Sequence, residues 1–278
     1  MTIAQTYLFS TVALSADNHA GLLGSHIIAA RLVKHIDFHV RENDAWVRKV
    51  CASEGIDSVL SIKLHLFGAE LSSTTRLALQ EAFPFLEKLE FDVYAVWDLR
   101  ALSKDVRMMC AFEHLKAIVL RGSYGSAYSL DRSLAIPRSV RSIKLDMPSS
   151  ALTRVLTWLV GQQPTDVQVF QVQNVGDQAV CMVLDLVVLW AQSLRELHIG
   201  MYSQSADICQ AVRSHWNKND ILVPTLEILS VDVDGNPDVG MCVLEETVHR
   251  CPALHAVGLQ VWEGRRTCAP HKVKETMP

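Results

Sequence analysis

The sequence predicts an α/β solenoid with a parallel sheet along its concave side and helices along its convex side, and three observations carry that expectation. First, an aliphatic residue, two residues of any kind, an apolar residue, one of any kind and another apolar residue recur nine times: Val33/Ile36/Phe38, Val59/Ile62/Leu64, Leu86/Leu89/Phe91, Leu115/Ile118/Leu120, Val140/Ile143/Leu145, Val167/Phe170/Val172, Leu194/Leu197/Ile199, Leu226/Leu229/Val231 and Leu254/Val257/Leu259. Second, the first positions are separated by 26, 27, 29, 25, 27, 27, 32 and 28 residues. Third, an apolar residue or proline stands three residues before every signature, at Ala30, Ile56, Phe83, Phe112, Pro137, Pro164, Ala191, Val223 and Cys251, and proline also follows at Pro84, Pro224 and Pro252. Proline cannot continue a helix, so the five of nine junctions that carry one read as helix stops ahead of their strands.

One short strand in a period of twenty-odd residues is the mark of a leucine-rich-repeat solenoid. Within each signature the last two positions are two apart and share one face of a strand, while their neighbours point the other way. Val40, Leu66, Val93, Met147, Val233 and Val261 continue the inward row in six repeats. Such strands gain stability only when stacked, each buried aliphatic side chain contributing roughly 1.5–3 kcal/mol. Phe9/Val12/Leu14 forms a weaker tenth copy, 24 residues before the first.

Between strands the apolar period changes to that of a helix. Leu152, Val155, Leu156, Leu159 and Val160 follow it behind Ser149 or Ser150 as cap, and Val180, Val183, Leu184, Val187 and Val188 repeat it behind Asp177. Shorter versions lie at Leu23/Ile27/Ala30, Val47/Val50/Cys51, Leu99/Leu102/Val106/Met109, Ile208/Ala211/Val212 and Met241/Leu244/Val248. Helices wider than strands bend such a stack into an arc. Arg121–Arg132, rich in Gly, Ser and Tyr, and Ser214–Asp220, in the longest repeat, read as loops. The repeats place residues 1–262 in one domain of nine or ten divergent units, and the polar, unpatterned residues 263–278 read as a flexible tail.

Composition narrows the function classes. A net charge of -4 with interspersed signs offers no basic stripe for nucleic acid. The most apolar run, Val180 to Trp190, has eleven residues and contains Asp185, too short and too polar to span a bilayer. Seven cysteines without paired short spacings point to reduced thiols and an intracellular protein, cytoplasmic or nuclear. Tyr7 to Ala16 lacks the basic start of a secretory signal. No phosphate-binding loop, dinucleotide fingerprint, nucleophile elbow or paired-cysteine zinc motif occurs, so neither catalytic residue nor cofactor is assigned.

The junction and strand Cys251-Pro252-Ala253-Leu254-His255-Ala256-Val257-Gly258-Leu259, and the segment Tyr7-Leu8-Phe9-Ser10-Thr11-Val12-Ala13-Leu14, resemble the repeats of F-box leucine-rich-repeat proteins of basidiomycete fungi. In that family an N-terminal F-box docks onto the Skp adaptor of a cullin ubiquitin ligase, and the repeats capture the protein to be degraded. Only eight residues precede Phe9 here, and no Leu-Pro-x-Glu opening occurs. The resemblance therefore implies a substrate-recognition part, with Skp binding only if an F-box lies upstream. A second departure is the missing asparagine three residues after each signature, where Arg41, Phe67, Tyr94, Ser123, Pro148, Val175, Tyr202, Asp234 and Trp262 stand instead. Backbone groups in the turns must then find other partners.

The outward strand positions form the expected binding surface for a protein partner: His39, Lys63, His65, Glu90, Asp92, Arg121, Lys144, Asp146, Gln171, Gln173, His198 and Asp232. Tyr124 and Tyr128 join Arg121 as candidate anchors, because Tyr and Arg dominate interface hot spots. His35, Asp37 and His39 alternate on one strand, but side chains two apart stand roughly 7 Å from each other, too wide for one tetrahedral ion, so no metal is assigned. Cys181, Cys209 and Cys242 fall on helical segments and read as small apolar packing. Two other readings stand beside the ligase one: a stand-alone scaffold, and an enzyme with a cleft on the concave face.

Overall fold

The computed structural model describes residues 10–23, 32–41, 43–94, 101–124, 130–162, 166–203, 207–218 and 221–262. The chain divides into two compact units, Met1–Val140 and Arg141–Pro278. In the first, strands β1 (Thr11–Ser15), β2 (His35–Val40), β3 (Ser61–Phe67), β4 (Lys88–Tyr94) and β5 (Ala117–Gly122) alternate with helices α1 (His19–Leu23), α2 (Ala45–Cys51), α3 (Ser73–Ala82) and α4 (Ala101–Cys110). In the second, β6 (Ser142–Asp146), β7 (Val169–Val175), β8 (Glu196–Ser203), β9 (Ile228–Gly235) and β10 (Ala256–Trp262) alternate with α5 (Ser149–Val160), α6 (Asp177–Leu189), α7 (Asp207–Lys218) and α8 (Pro237–Val248). In each unit, neighbours in sequence are neighbours in the sheet and pair in parallel. The weak first copy is a true strand, with Val12 opposite Ile36 and Leu14 opposite Phe38.

The signature residues line up as rungs. Ile36, Ile62, Leu89 and Ile118 are partners across β2 to β5, and Ile143, Phe170, Leu197, Leu229 and Val257 across β6 to β10. The next inward row is Phe38, Leu64, Phe91 and Leu120 in one unit, and Leu145, Val172, Ile199, Val231 and Leu259 in the other. All are buried except those of β10, where Val257 is exposed and Leu259 half-buried. Helices cover this side of the strands. A side-chain carbon added at Gly240 of α8 would sit 2.5 Å from Val233 and 2.8 Å from Leu259, so the helix backbone rests directly on the inward rows of β9 and β10.

Eight strands, β2 to β5 and β7 to β10, are entered by one device. The carbonyl of Ser10 accepts from the amides of Lys34 and His35, Lys34 from Leu60 and Ser61, Leu60 from Glu87 and Lys88, and Glu87 from Lys116 and Ala117. Arg141, Gln168, Arg195 and Glu227 continue the series in the second unit. Hydroxyls on the residue before the aliphatic signature position satisfy further carbonyls of the preceding repeat. Ser58 donates to Val33, Ser139 to Glu113 and Leu115, Ser193 to Val167, and Thr225 to Ala191 and Leu194. This hydroxyl row ties successive repeats together on the entry side of four strands.

Several local expectations change. Ser214–Lys218 is helix, the C-terminal part of α7, because Ile208, Val212 and Trp216 recur every fourth residue and are all fully buried. α3 carries no aliphatic stripe, since its buried positions include Thr75 and Arg76 beside Leu79. Its start is fixed by the Ser72 hydroxyl accepting from the Thr75 amide at 3.2 Å. α5 begins inside the anticipated cap, with Ser149 and Ser150 already helical, and Asp177 is the first residue of α6, where its charge favours the helix N-terminus. Arg121 belongs to β5; Tyr128 and the tail beyond Trp262 lie outside the described residues. So do Leu99 and the Ile27/Ala30 part of the first helical pattern.

Candidate functional site

The outward positions of β2 to β5 converge on two carboxylates. Glu90 is 6% exposed and Asp92 is 9% exposed, although both project from the side away from the inward rows. Cations from β3, from β5 and from β4 itself cover them. The Lys63 ammonium lies 3.0 Å from Glu90 Oε1 and 3.6 Å from Asp92 Oδ2, Arg121 Nη1 is 3.1 Å from Glu90 Oε1, and Lys88 Nζ is 3.4 Å from Glu90 Oε2. Burial would raise the Glu90 carboxyl, but the Lys63 hydrogen bond and the three cations outweigh it and hold the group below its ordinary value.

Four rings stack beside this network. His39 and His65 have centroids 4.4 Å apart and planes within 15°, and Phe67 and Tyr94 are 4.8 Å apart and within 6°. His65 also lies 6.3 Å from Phe67 and 6.4 Å from Tyr94. The spacing follows from parallel strands roughly 4.8 Å apart with identical side-chain directions in register. Asp92 ties rings to charges: its Oδ2 accepts from the Tyr94 hydroxyl at 2.8 Å and lies 3.4 Å from His65 Nδ1. Burial first, then Lys63 and the stacked His39, lower the His65 pKa and disfavour the imidazolium. Phe67 and Tyr94 remain 40% and 43% exposed, so the stack ends in accessible aromatic edges.

Of the anticipated surface residues, His39, Lys63, His65, Glu90, Asp92 and Arg121 thus form one cluster. Tyr124 does not join it. It is 4% exposed, with its hydroxyl buried where the charges of Asp105 and Arg76 act on it, so its ring is core and its role as an anchor is withdrawn. Phe67, Tyr94 and Lys88 were absent from the anticipated set. Counting two residues further along β3 and β4, from 65 to 67 and from 92 to 94, would have found both rings.

The second unit arranges Lys144, Gln171, His198, Ser230 and Gly258 in one outward row. In the next, Asp146 is opposite Gln173, and Gly200 is opposite Asp232. The Gln173 side chain lies over Gly200, where an added carbon would fall only 1.6 Å from its Oε1, and hydrogen-bonds to Asp232. Burial raises the Asp232 pKa, opposed by that hydrogen bond and by His198. The Asn174 amide donates to Asp146 Oδ1 at 2.9 Å from a left-handed backbone (φ 63°). Among the described residues, no group of three or more His, Cys, Asp or Glu is placed to hold a metal ion, and no helix is long and apolar enough to cross a membrane.

Parallel strands in register, eight of them entered by the same carbonyl device, alternate with helices and define a leucine-rich-repeat fold. Comparison of structures agrees: the leucine-rich-repeat-containing protein LegL7 of Legionella pneumophila superimposes with a TM-score of 0.50 at 12% identity, over 92% of this chain and 87% of that one. No protein-family profile and no curated protein sequence matches the chain.

Proposed function

We propose that the protein is a non-catalytic binding module and that the outward face of β2 to β5 engages a protein partner. The observation that carries this reading is the Phe67–Tyr94 stack, exposed on a sheet face and flanked by cations and carboxylates already fixed to one another. Aromatic rings held rigid before contact lose little entropy on binding, and repeat proteins of this kind use extended sheet faces for recognition. The ion pairs supply orientation more than affinity, since pairs with an exposed partner contribute only about 0–1 kcal/mol each.

Affinity capture with quantitative mass spectrometry tests it. A partner retained by the wild type and by a Tyr202→Ser control in the second unit is expected to be lost from the Phe67→Ser/Tyr94→Ser double variant. Equal retention by all three, with the double variant folded by circular dichroism, overturns the assignment. Resemblance of the repeat sequences to F-box proteins supports a finer reading, in which the captured partner is destined for ubiquitination. Co-purification of Skp adaptor with the product of the complete gene is its test, and capture without adaptor favours the stand-alone scaffold.

A further inference from the structure

Two thiols of the second unit meet across a helix pair. Cys209 lies on α7 and Cys242 on α8, and their side chains share a hydrogen bond. A second contact fixes the alignment independently. Arg213, four residues after Cys209, donates from Nε to Oε1 of Glu246, four residues after Cys242, at 2.8 Å. Residues four apart share one helix face, so the two helices run side by side with the thiols one turn from the ion pair. Cys242 is buried at 5% exposure and Cys209 is partly exposed, so a solvent-borne reagent meets Cys209 first. The Arg213 guanidinium acts electrostatically on the Cys242 sulfur, against the effect of burial.

We propose that Cys209 and Cys242 form a reversible dithiol site that reacts with hydroperoxides and closes to a disulfide between α7 and α8. In the first step the Cys209 sulfur attacks one peroxide oxygen and the O–O bond breaks. The thiol proton passes to the departing hydroxide, giving a sulfenic acid and water. In the second, the Cys242 sulfur attacks the sulfenic sulfur, the S–O bond breaks, and the Cys242 proton leaves with the hydroxyl as water. Two thiols are oxidised and one peroxide is reduced to two waters. Burial and the contact with Cys209 push the Cys242 thiol up to about 12, which disfavours it as the sulfur that meets the peroxide first. Cys181 sits partly exposed on α6, and the other described cysteines are likewise free. It provides an internal control.

The test is stepwise addition of hydrogen peroxide to the reduced full chain, followed by alkylation and peptide mapping by mass spectrometry. The expected result is a monomer lighter by two hydrogens, with a dithiothreitol-reversible link between the peptides of Cys209 and Cys242. The Cys242→Ser variant is expected to stop at a dimedone-reactive sulfenic acid on Cys209, and the Cys209→Ser variant to give neither product. Oxidation of Cys181 while Cys209 and Cys242 stay alkylatable, or links joining other thiols, overturns the proposal. The wild-type map decides the matter alone if a serine variant does not fold.

Discussion

At matching positions of the strand, the first unit presents Lys63, Glu90 and Asp92 with His39, His65, Phe67 and Tyr94, whereas the second sets Lys144, Asp146 and Asp232 among Gln171, Gln173, His198, Ser230 and Gly258. The same contrast runs through the helices. In the first unit α3 and α4 meet through a buried ion pair, Arg76 Nη1 to Asp105 Oδ1 at 2.7 Å, with Asp105 fully buried. In the second, α5 and α6 bury Leu152, Val155, Leu156, Leu159, Val180, Val183, Leu184 and Val187. Two units with one backbone plan thus rest on different energetics. The first invests in charges that specify geometry, and the second in apolar area that supplies stability.

The largest test of that contrast is Asp105→Ala, which leaves the buried Arg76 guanidinium to the more distant Glu70 carboxylate, at 3.8 Å. A loss of about 3–5 kcal/mol in denaturant unfolding is expected. A loss below about 1 kcal/mol would show that water or rearrangement already serves Arg76. The pair also sets a pH signature. Burial, opposed by Arg76, raises the Asp105 pKa to about 6 from 3.8, so the native state binds the proton more readily than the unfolded chain. This contribution therefore favours folding as pH falls from about 6 toward 4, and is lost as pH rises back through 6. Asp105→Asn should flatten that part of the stability-pH curve.

Next in size is Gly122→Ala. Gly122 has φ +101°, and an added carbon would lie 1.9 Å from the Val93 carbonyl oxygen, a backbone atom. Strained backbone alone costs about 1–3 kcal/mol, and the collision adds to it. Gly200→Ala in the second unit should cost far less, because the obstacle there is the movable end of Gln173. Thermal midpoints of the two variants measured together settle the order.

A smaller effect separates the outward faces. Glu90→Gln leaves Lys63, Lys88 and Arg121 without their shared carboxylate and should destabilise by about 1–3 kcal/mol. Gln171→Leu, at the corresponding row of β7, should fall within about 0.5 kcal/mol of wild type. Equal losses would mean that the charge cluster does not distinguish the units. The smallest effect is that of His65. Its lowered pKa means that the unfolded chain takes up the proton first, so stability declines as pH falls below the ordinary histidine value near 6.5. His65→Phe should remove this slope, which has the opposite sign to that of Asp105, and nuclear magnetic resonance titration of the imidazole reads it directly.

The strands were legible because a parallel stack demands an apolar residue, aliphatic or Phe, at the same place in every turn, and the nine full copies and the weaker first one supply it. Helices were legible only where their buried face is aliphatic. α3 escaped because Thr75 and Arg76 occupy buried positions, and a buried arginine is recognisable only through Asp105, 29 residues away. The end of α7 escaped because Ser214, Asn217 and Lys218 look like a loop until Trp216 is seen to fill the core with Ile208 and Val212. At the candidate site, alternation found the six charged and histidine positions of the first unit. Phe67 and Tyr94 were missed because the outward count stopped two residues short on β3 and β4, and their stacking shows only when the strands are set in register. Tyr124 failed as an anchor for the converse reason, since residue type says nothing about which side of a turn the ring will take.

The shared carbonyl at the head of β2 to β5 and of β7 to β10 has a corollary for how this molecule tolerates change. Because two amides lock onto a single oxygen before the strand begins, pairing is reset at each of these strands, and an insertion in one connecting segment is not passed on to the next. Spacings that range from 25 to 32 residues fit that logic. Sequence grafted between a helix and the following strand should lengthen a connection while leaving every rung downstream in its place.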